Sequence, residues 1–357
     1  MRRSGRPTGA VSESGLRAVR HRVTGYGRAV LRITALAGGI GGSRFLRGLL
    51  RAVPDAEVTV IGNTADDITL HGLHVSPDLD TVMYTLGDGV EESQGWGRRD
   101  DTNVVAAELA AYGAEPQWFT LGDRDLATHL IRTRMLAAGY PLSAVTEALC
   151  DRWRPGVQLL PMTDDRVETH VVVAESGSEA AGGDTGGERA IHFQEWWVRL
   201  HAEVPARRIV LVGIEQATPA PGVLDAIAAA DVIVLPPSNP VVSIGPILAV
   251  PGVRDAVRAA AAPVVGVSPI IGGAPVRGMA DAALTAIGVP TSAAAVAELF
   301  ADLLDGWLVD TVDAAAVPAV ESVGVRCRAV PLLMTDVDAA AAMARTALDL
   351  AEEARAR

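Results

Sequence analysis

From residue 33 onward, short apolar runs alternate with stretches whose apolar positions recur at helical spacing. That alternation predicts an α/β fold: a Rossmann-like open, mostly parallel sheet. ITALAG reads as a first strand running into the glycine-rich GGIGG, residues 38 to 42. RFLRGLLRAV then sets Phe45, Leu46, Leu49, Leu50 and Val53 on one helical face and Arg44, Arg47 and Arg51 on the other, in a helix expected to begin near Ser43. VTVIG is a second strand, and NTADD leaves its C-terminal end. IVLVGI (209 to 214), VIVLP (232 to 236) and VVGVS (264 to 268) read as further strands buried on both faces. Helices are expected between them, around 222 to 230 and 246 to 262.

The middle of the chain, about 100 to 200, has a different pattern. VVAAELAAYG and LATHLIRTRMLAAG are helical, whereas VETHVVV and IHFQEWWV suggest a small β element. This third is expected to be an inserted, mainly helical region that caps the sheet. SGSEAAGGDTGGER, residues 176 to 189, reads as a polar hairpin tip. The last twenty residues form a long Ala-rich helix with a charged end. Residues 1–32 are Arg-rich without a signal-peptide core and read as a disordered extension, leaving one elaborated domain over 33–357.

Charge narrows the function. The formal net charge of −12 argues against a nucleic-acid binder, which needs basic stripes to neutralise phosphates. All 31 basic residues are Arg, so a P-loop lysine, a Schiff-base lysine and a lysine general base are excluded together. Arg is then the cationic handle for any phosphate. Cys150 and Cys327 show no metal or redox spacing, which suggests a reduced, cytoplasmic setting, and no uncharged run approaches the ~20 apolar residues of a membrane helix.

GGIGGS follows the first strand, where doubly wound sheets bind ligands. Its glycines would admit an anion to backbone N–H groups at the positive end of a helix. The dinucleotide fingerprint fails, because its third glycine would fall at Arg44 and the acidic ribose ligand is replaced by Asn63. A tight strand-to-helix turn without a ligand is the plainer alternative. PPSNPVVSIGPIL and SPIIGGAPVRG, rich in Ser, Gly and Pro, leave two later strands and would line the same crevice.

Asp66, Asp67, Asp78 and Asp80 fall within fifteen positions. Any one of them could cap a helix. Four together suit a hard cation such as Mg²⁺ bridging phosphate oxygens, or a carboxylate that accepts the proton of an attacking hydroxyl. The histidines (His71, His74, His129 and His170 among them) lack zinc spacing. Arg124, in LGDRDLATH, is either a surface ion-pair partner or a clamp for a polar ligand. Trp96 is either core or a platform for a planar ligand.

Taken in order between about residues 33 and 335, GGIGGSRFLRGL, NTADD, HGLHVSPDLDTVMY, LGDRDLATH, LLPMTDD, PPSNPVVSIGPIL and SPIIGGAPVRG resemble the 2-phospho-L-lactate transferases of coenzyme F420 biosynthesis (CofD/FbiA), in particular the actinobacterial branch. The resemblance implies a Mg²⁺-dependent transfer of a phospholactyl or enolpyruvyl-phosphate group from a guanosine diphosphate ester to the ribityl hydroxyl of the deazaflavin Fo, releasing GMP. It associates Asp80 (or Asp78) and Arg124 with Fo. On this reading Asp67 and Asp80 hold the metal or accept the proton, while Gly39, Gly41, Gly42, Ser43, Asn63, Ser238 and Asn239 line the nucleotide. A homodimer acting on small molecules, with neither nucleic acid nor membrane as partner, is expected. The resemblance leaves open which donor is used. The rival reading is a non-catalytic, nucleotide-sugar-binding regulator of the YvcK type, from which LGDRD and PSNP set this chain apart.

Overall fold

Strand β1 (Arg32–Ala37), helix α1 (Gly39–Ala52) and strand β2 (Glu57–Gly62) open the fold. A hairpin of β3 (Ile68–Leu70) and β4 (Leu73–Val75) follows, and then α2 (Pro77–Leu86). Helices α3 (Val104–Ala111), α4 (Asp125–Ala137) and α5 (Leu142–Trp153) lead to β5 (Gln158–Pro161). Strands β6 (Glu168–Ala174), β7 (Glu188–His192) and β8 (Ala206–Val212) form a separate antiparallel sheet in the order β7-β6-β8. The chain continues through α6 (Val223–Ala229), β9 (Val232–Leu235), α7 (Gly245–Ala249), α8 (Val253–Ala259) and β10 (Val264–Val267). After the short pair β11 (Ile270–Ile271) and β12 (Ala274–Pro275) come α9 (Ala280–Ala286), α10 (Ala293–Leu299), β13 (Gly306–Val309), α11 (Val317–Ser322), β14 (Arg326–Ala329) and α12 (Val337–Arg355). This computed structural model describes residues 30–175 and 187–355. The expected N-terminal extension up to residue 29, and the hairpin tip from 176 to 186, lie outside the described residues.

The main sheet is seven-stranded and parallel, in the order β14-β13-β10-β9-β1-β2-β5. Chain order reverses between β1 and β9, where Ala35 pairs Val234 on one side and Val60 on the other. Because successive side chains in a strand point to opposite faces, each strand feeds two cores. Ile33, Ala35 and Ala37 pack with Phe45, Leu46 and Leu49 of α1, Val82 of α2, Val145 of α5 and Met343 of α12. Leu36 and Ile61 pack on the other face with Val223 and Ile227 of α6, Val253 of α8, Leu284 of α9 and Val296 of α10. Both faces being covered explains why the central strands are apolar without alternation.

Three sequence expectations need correction. Helix α1 begins at Gly39, not near Ser43: Gly38 is extended, Gly39 turns the chain at φ +63°, and Ile40, Gly41 and Gly42 continue into the helix. IVLVGI is not a central strand: its first four residues end β8 of the antiparallel sheet, half exposed, since a short apolar run does not reveal how many of its faces will be covered. The helix expected over 246 to 262 is two helices, interrupted at Pro251 and Gly252, whose φ of 88° an α-helix cannot contain. Strands β5, β13 and β14 were not anticipated. Among the described residues no single helix is long and apolar enough to cross a membrane.

Candidate functional site

The reversal between β1 and β9 leaves a crevice beyond their carboxyl ends, the place where open α/β sheets bind ligands. Two loops meet there. The Ser238 hydroxyl accepts from the Gly38 N–H (3.2 Å) and donates to the Gly38 carbonyl (2.8 Å), tying the loop after β9 to the glycine turn. A Cβ on Gly41 would lie 2.2 Å from the Pro237 carbonyl oxygen, and one on Gly42 would lie 2.5 Å from Ser238 Oγ. These two glycines therefore permit one loop to approach the other. Gly39, at φ +63°, is glycine for a conformational reason as well.

All four aspartates are buried: Asp66 is 4%, Asp67 8%, Asp78 8% and Asp80 5% exposed. None is a surface helix cap. Asp78 sits in the first turn of α2 yet serves another element, accepting from Asn63 Nδ2 (2.9 Å), the Ser243 hydroxyl (3.3 Å) and the backbone of Gly39 at the start of α1. Burial nevertheless pushes its carboxyl up to about 6, with the hydrogen bonds pulling the other way. Asp66 is raised well above the ordinary carboxylate range, first by burial and then by the neighbouring Asp78 charge, and its Oδ1 has no partner. Two desolvated carboxylates side by side resist ionising together.

Asp80 is held differently. Arg132, itself fully buried, forms an ion pair with Asp80 Oδ1 and donates to His129 Nδ1 at 3.2 Å. An arginine can only donate, so His129 carries its proton on Nε2, which faces Asp125 Oδ2 at 3.2 Å. The Tyr84 hydroxyl donates to Asp125 Oδ1 at 2.6 Å. This network fixes Asp80 while leaving its Oδ2 without a hydrogen-bond partner.

These groups line one cavity of about 740 Å³, within the range of small-molecule sites. Asp66, Asp78, Gly39 and Gly41 line it together with Ser238 and Asn239; Asp80, His129, Asp125 and Tyr84 do so too. Trp96, Trp197, Phe119 and Phe193 supply aromatic wall.

Of the residues expected at the site, Gly39, Gly41, Asp78, Asp80, Ser238 and Asn239 are brought into this lining. Gly42, Ser43 and Asn63 lie behind it and brace it: the Ser43 hydroxyl donates to the Ile40 carbonyl, and Asn63 bridges Asp78 and the Val242 carbonyl. Two expected residues lie outside the lining. Asp67 has its Oδ2 taken by His74 (2.8 Å) and Ser76 (2.7 Å), while its Oδ1 is without a partner. Arg124 is also outside, its guanidinium donating to the Arg99 carbonyl at 3.1 Å. The Gly-Asp-Arg-Asp turn works instead as a joint. Asp123 accepts from the Val104 and Val105 N–H groups that start α3, and Asp101 accepts from the Arg124 and Asp125 N–H groups that start α4. Sequence reading passed over Arg132 and Arg277 and gave His129 and Arg44 no role at the site, though Asp125, His129 and Arg132, spaced four and three apart on one helix, were a usable signal.

The match to known proteins is extensive. The family model for CofD, 2-phospho-L-lactate transferase, matches residues 33–329. A protein of Streptomyces griseus named phosphoenolpyruvate transferase is 69% identical over 327 residues, covering 91% of this chain and all of its own. Relatives of the same name from Thermobifida fusca and Mycolicibacterium smegmatis are 64% and 54% identical, covering 92% and 90% of this chain and 100% and 99% of their own. A crystal structure of a UPF0052-family protein from Bacillus halodurans superposes with a TM-score of 0.61 over 90% of this chain and 100% of its own; at 17% identity it attests the fold alone. With the family model spanning nearly all of the parallel sheet and most of the crevice lining, this chain belongs to the CofD family of 2-phospho-L-lactate transferases.

Proposed function

We propose that this protein transfers an enolpyruvyl-phosphate group from its guanosine diphosphate ester to the terminal ribityl hydroxyl of Fo, releasing GMP, as a step of coenzyme F420 biosynthesis. The relatives' name, phosphoenolpyruvate transferase, favours enolpyruvyl phosphate over phospholactate as the donor moiety. The observation that carries the reading is the buried pair Asp66 and Asp78 at the glycine-turn end of the cavity.

Two carboxylates with an orphaned oxygen suit Mg²⁺, which takes oxygen ligands and keeps water and phosphate oxygens in the rest of its shell. Among the described residues no group of three or more acidic, His or Cys side chains is placed to hold an ion by itself, so substrate oxygens would complete its shell. Asp66 and Asp78, not Asp67 and Asp80, would hold it. Bound there, the ion would neutralise charge on the diphosphate.

The chain's own groups account for the remaining steps. The N–H groups of Ile40 and Gly41, in the first turn of α1, lack intrahelical partners and face the anionic donor from the helix's positive end. Asn239 and Ser238 hold the loop that closes the nucleotide side. Asp80, immobilised by Arg132 on the cavity wall, would accept from the acceptor hydroxyl through its buried, unpartnered Oδ2, orienting the oxygen for attack on the phosphorus that bears the enolpyruvyl group. The bond from that phosphorus to the GMP oxygen breaks as the new one forms, and the hydroxyl proton passes to Asp80.

Incubation with Fo, Mg²⁺ and either guanylylated donor tests this. Fo-dependent GMP release, faster with the enolpyruvyl donor, is expected; GMP release that ignores Fo, or none with either donor, refutes it.

A further inference from the structure

Two arginines line the cavity, Arg44 from α1 and Arg277 from the loop after β12, and neither forms an ion pair among the described residues. Each is held by a backbone carbonyl instead: Arg44 Nη2 donates to the Glu92 carbonyl at 3.3 Å, and Arg277 Nη1 to the Gln94 carbonyl at 2.8 Å. The nearby Glu92 carboxylate is occupied by a two-pronged contact with Arg47, at 2.5 and 3.1 Å. Burial and then the Arg277 charge hold Arg44 below its ordinary value, with the Glu92 charge pulling the other way.

The segment carrying both carbonyls is itself built to reach this place. It is closed at its base by the Val90–Arg98 bridge and turns at Gly95, φ +80°. A Cβ on Gly95 would lie 2.8 Å from Ile40 Cγ2 and 3.4 Å from Arg277 Nη1. So the loop rests on the glycine turn, and its carbonyls hold two positive groups in place without neutralising them. An unneutralised guanidinium pair at a cavity wall is complementary to a carboxylate or phosphate.

We propose that Arg44 and Arg277 form a clamp for the carboxylate of the three-carbon acid being transferred. The inference rests on the transfer reaction proposed above. That donor carries three anionic groups, and its diphosphate already has the α1 N-terminus and the Asp66–Asp78 cation site. Arg44 and Arg277 are the guanidiniums on the lining; the other basic side chains there are His129, committed to Arg132 and Asp125, and His201. Phospholactyl and enolpyruvyl donors both carry this carboxylate, so the clamp selects carboxylated donors as a class and does not discriminate between the two.

The test uses Arg277→Gln and Arg44→Gln in the full-length protein, with wild-type melting points as the folding control. Arg277 is exposed, so its variant keeps the test available if Arg44→Gln folds poorly. Calorimetry would compare the guanylylated enolpyruvyl donor, its ethyl-ester analogue of guanosine diphosphate that lacks a carboxylate, and guanosine diphosphate itself. Loss of one charged hydrogen-bonding partner should weaken the carboxylated donor about 10- to 100-fold while changing the other two less than about twofold. Equal weakening of all three ligands would assign the arginines to the diphosphate and overturn the proposal. Unchanged donor binding would overturn it as well. Because these are binding measurements, they stand apart from the Fo-dependent GMP assay: failure of that assay in the wild type would sink the transfer reading while leaving the clamp separately decided.

Discussion

Replacing Asp80 by Asn separates a chemical role from a structural one, provided its partner is treated at the same time. The Asp80 and Arg132 side chains are 7% and 2% exposed, so each is the other's counter-charge in a dry environment. Removing one partner of such a pair strands the other and costs about 3–5 kcal/mol. With roughly 320 ordered residues contributing about 2.1 cal/mol/K each, the unfolding entropy is near 0.7 kcal/mol/K, so the melting midpoint should fall by about 4–7 °C. Arg132→Met should cost a similar amount, because it leaves Asp80 buried and unpaired. The double variant Asp80→Asn/Arg132→Met has no stranded charge and should melt within about 2 °C of wild type. Thermal melts and Fo-dependent GMP release are measured on all four proteins. Stability is expected to return in the double variant while turnover does not, since no carboxylate then faces the acceptor hydroxyl. A single Asp80→Asn variant with an unchanged melting point would refute the ion-pair account; a double variant with restored turnover would show that Asp80 is structural only.

Two further outcomes follow from the site and the core. Asp78 titrates near 6 in the folded state against an ordinary 3.8, so the folded form keeps a proton that the unfolded chain has lost; stability should fall as pH rises from about 4 to about 6 and stay lower above that. Asp78→Asn should flatten that slope, and Mg²⁺ should raise the wild-type melting point at pH 7.5 but not at pH 5; equal Mg²⁺ effects at both values would count against Asp78 as a ligand. In the core, a Cβ on Gly48 would lie 2.4 Å from the Ala340 backbone carbon, so Gly48→Ala should push α1 from α12 and cost about 1–3 kcal/mol, read as a lower midpoint in a urea melt; an unchanged midpoint would refute that close approach.

The sheet was legible from β1, β2, β9 and β10 because strands covered on both faces must be apolar throughout. β8 was misplaced for the same reason in reverse. Its run IVLV is as apolar as VIVL, and only the packing of β6 against it shows that one side stays half open. The crevice was legible as well: a glycine turn after the first strand and Ser-Pro loops after later strands can converge only at the sheet's carboxyl edge.

By itself the sequence determined the alternation of strands and helices, the glycine-rich first turn, and a concentration of aspartates close behind it. Only the tertiary structure decided which of those aspartates line the cavity. Their immediate neighbours in the chain are nearly equivalent, whereas their partners come from far away. Ser243 reaches Asp78 across 165 positions, Arg132 reaches Asp80 across 52, and Gln94 steadies Arg277 across 183. Each carboxylate is a paired anchor or a buried acceptor according to which distant group sits at its oxygens. The folded chain sets that placement, and local composition does not record it.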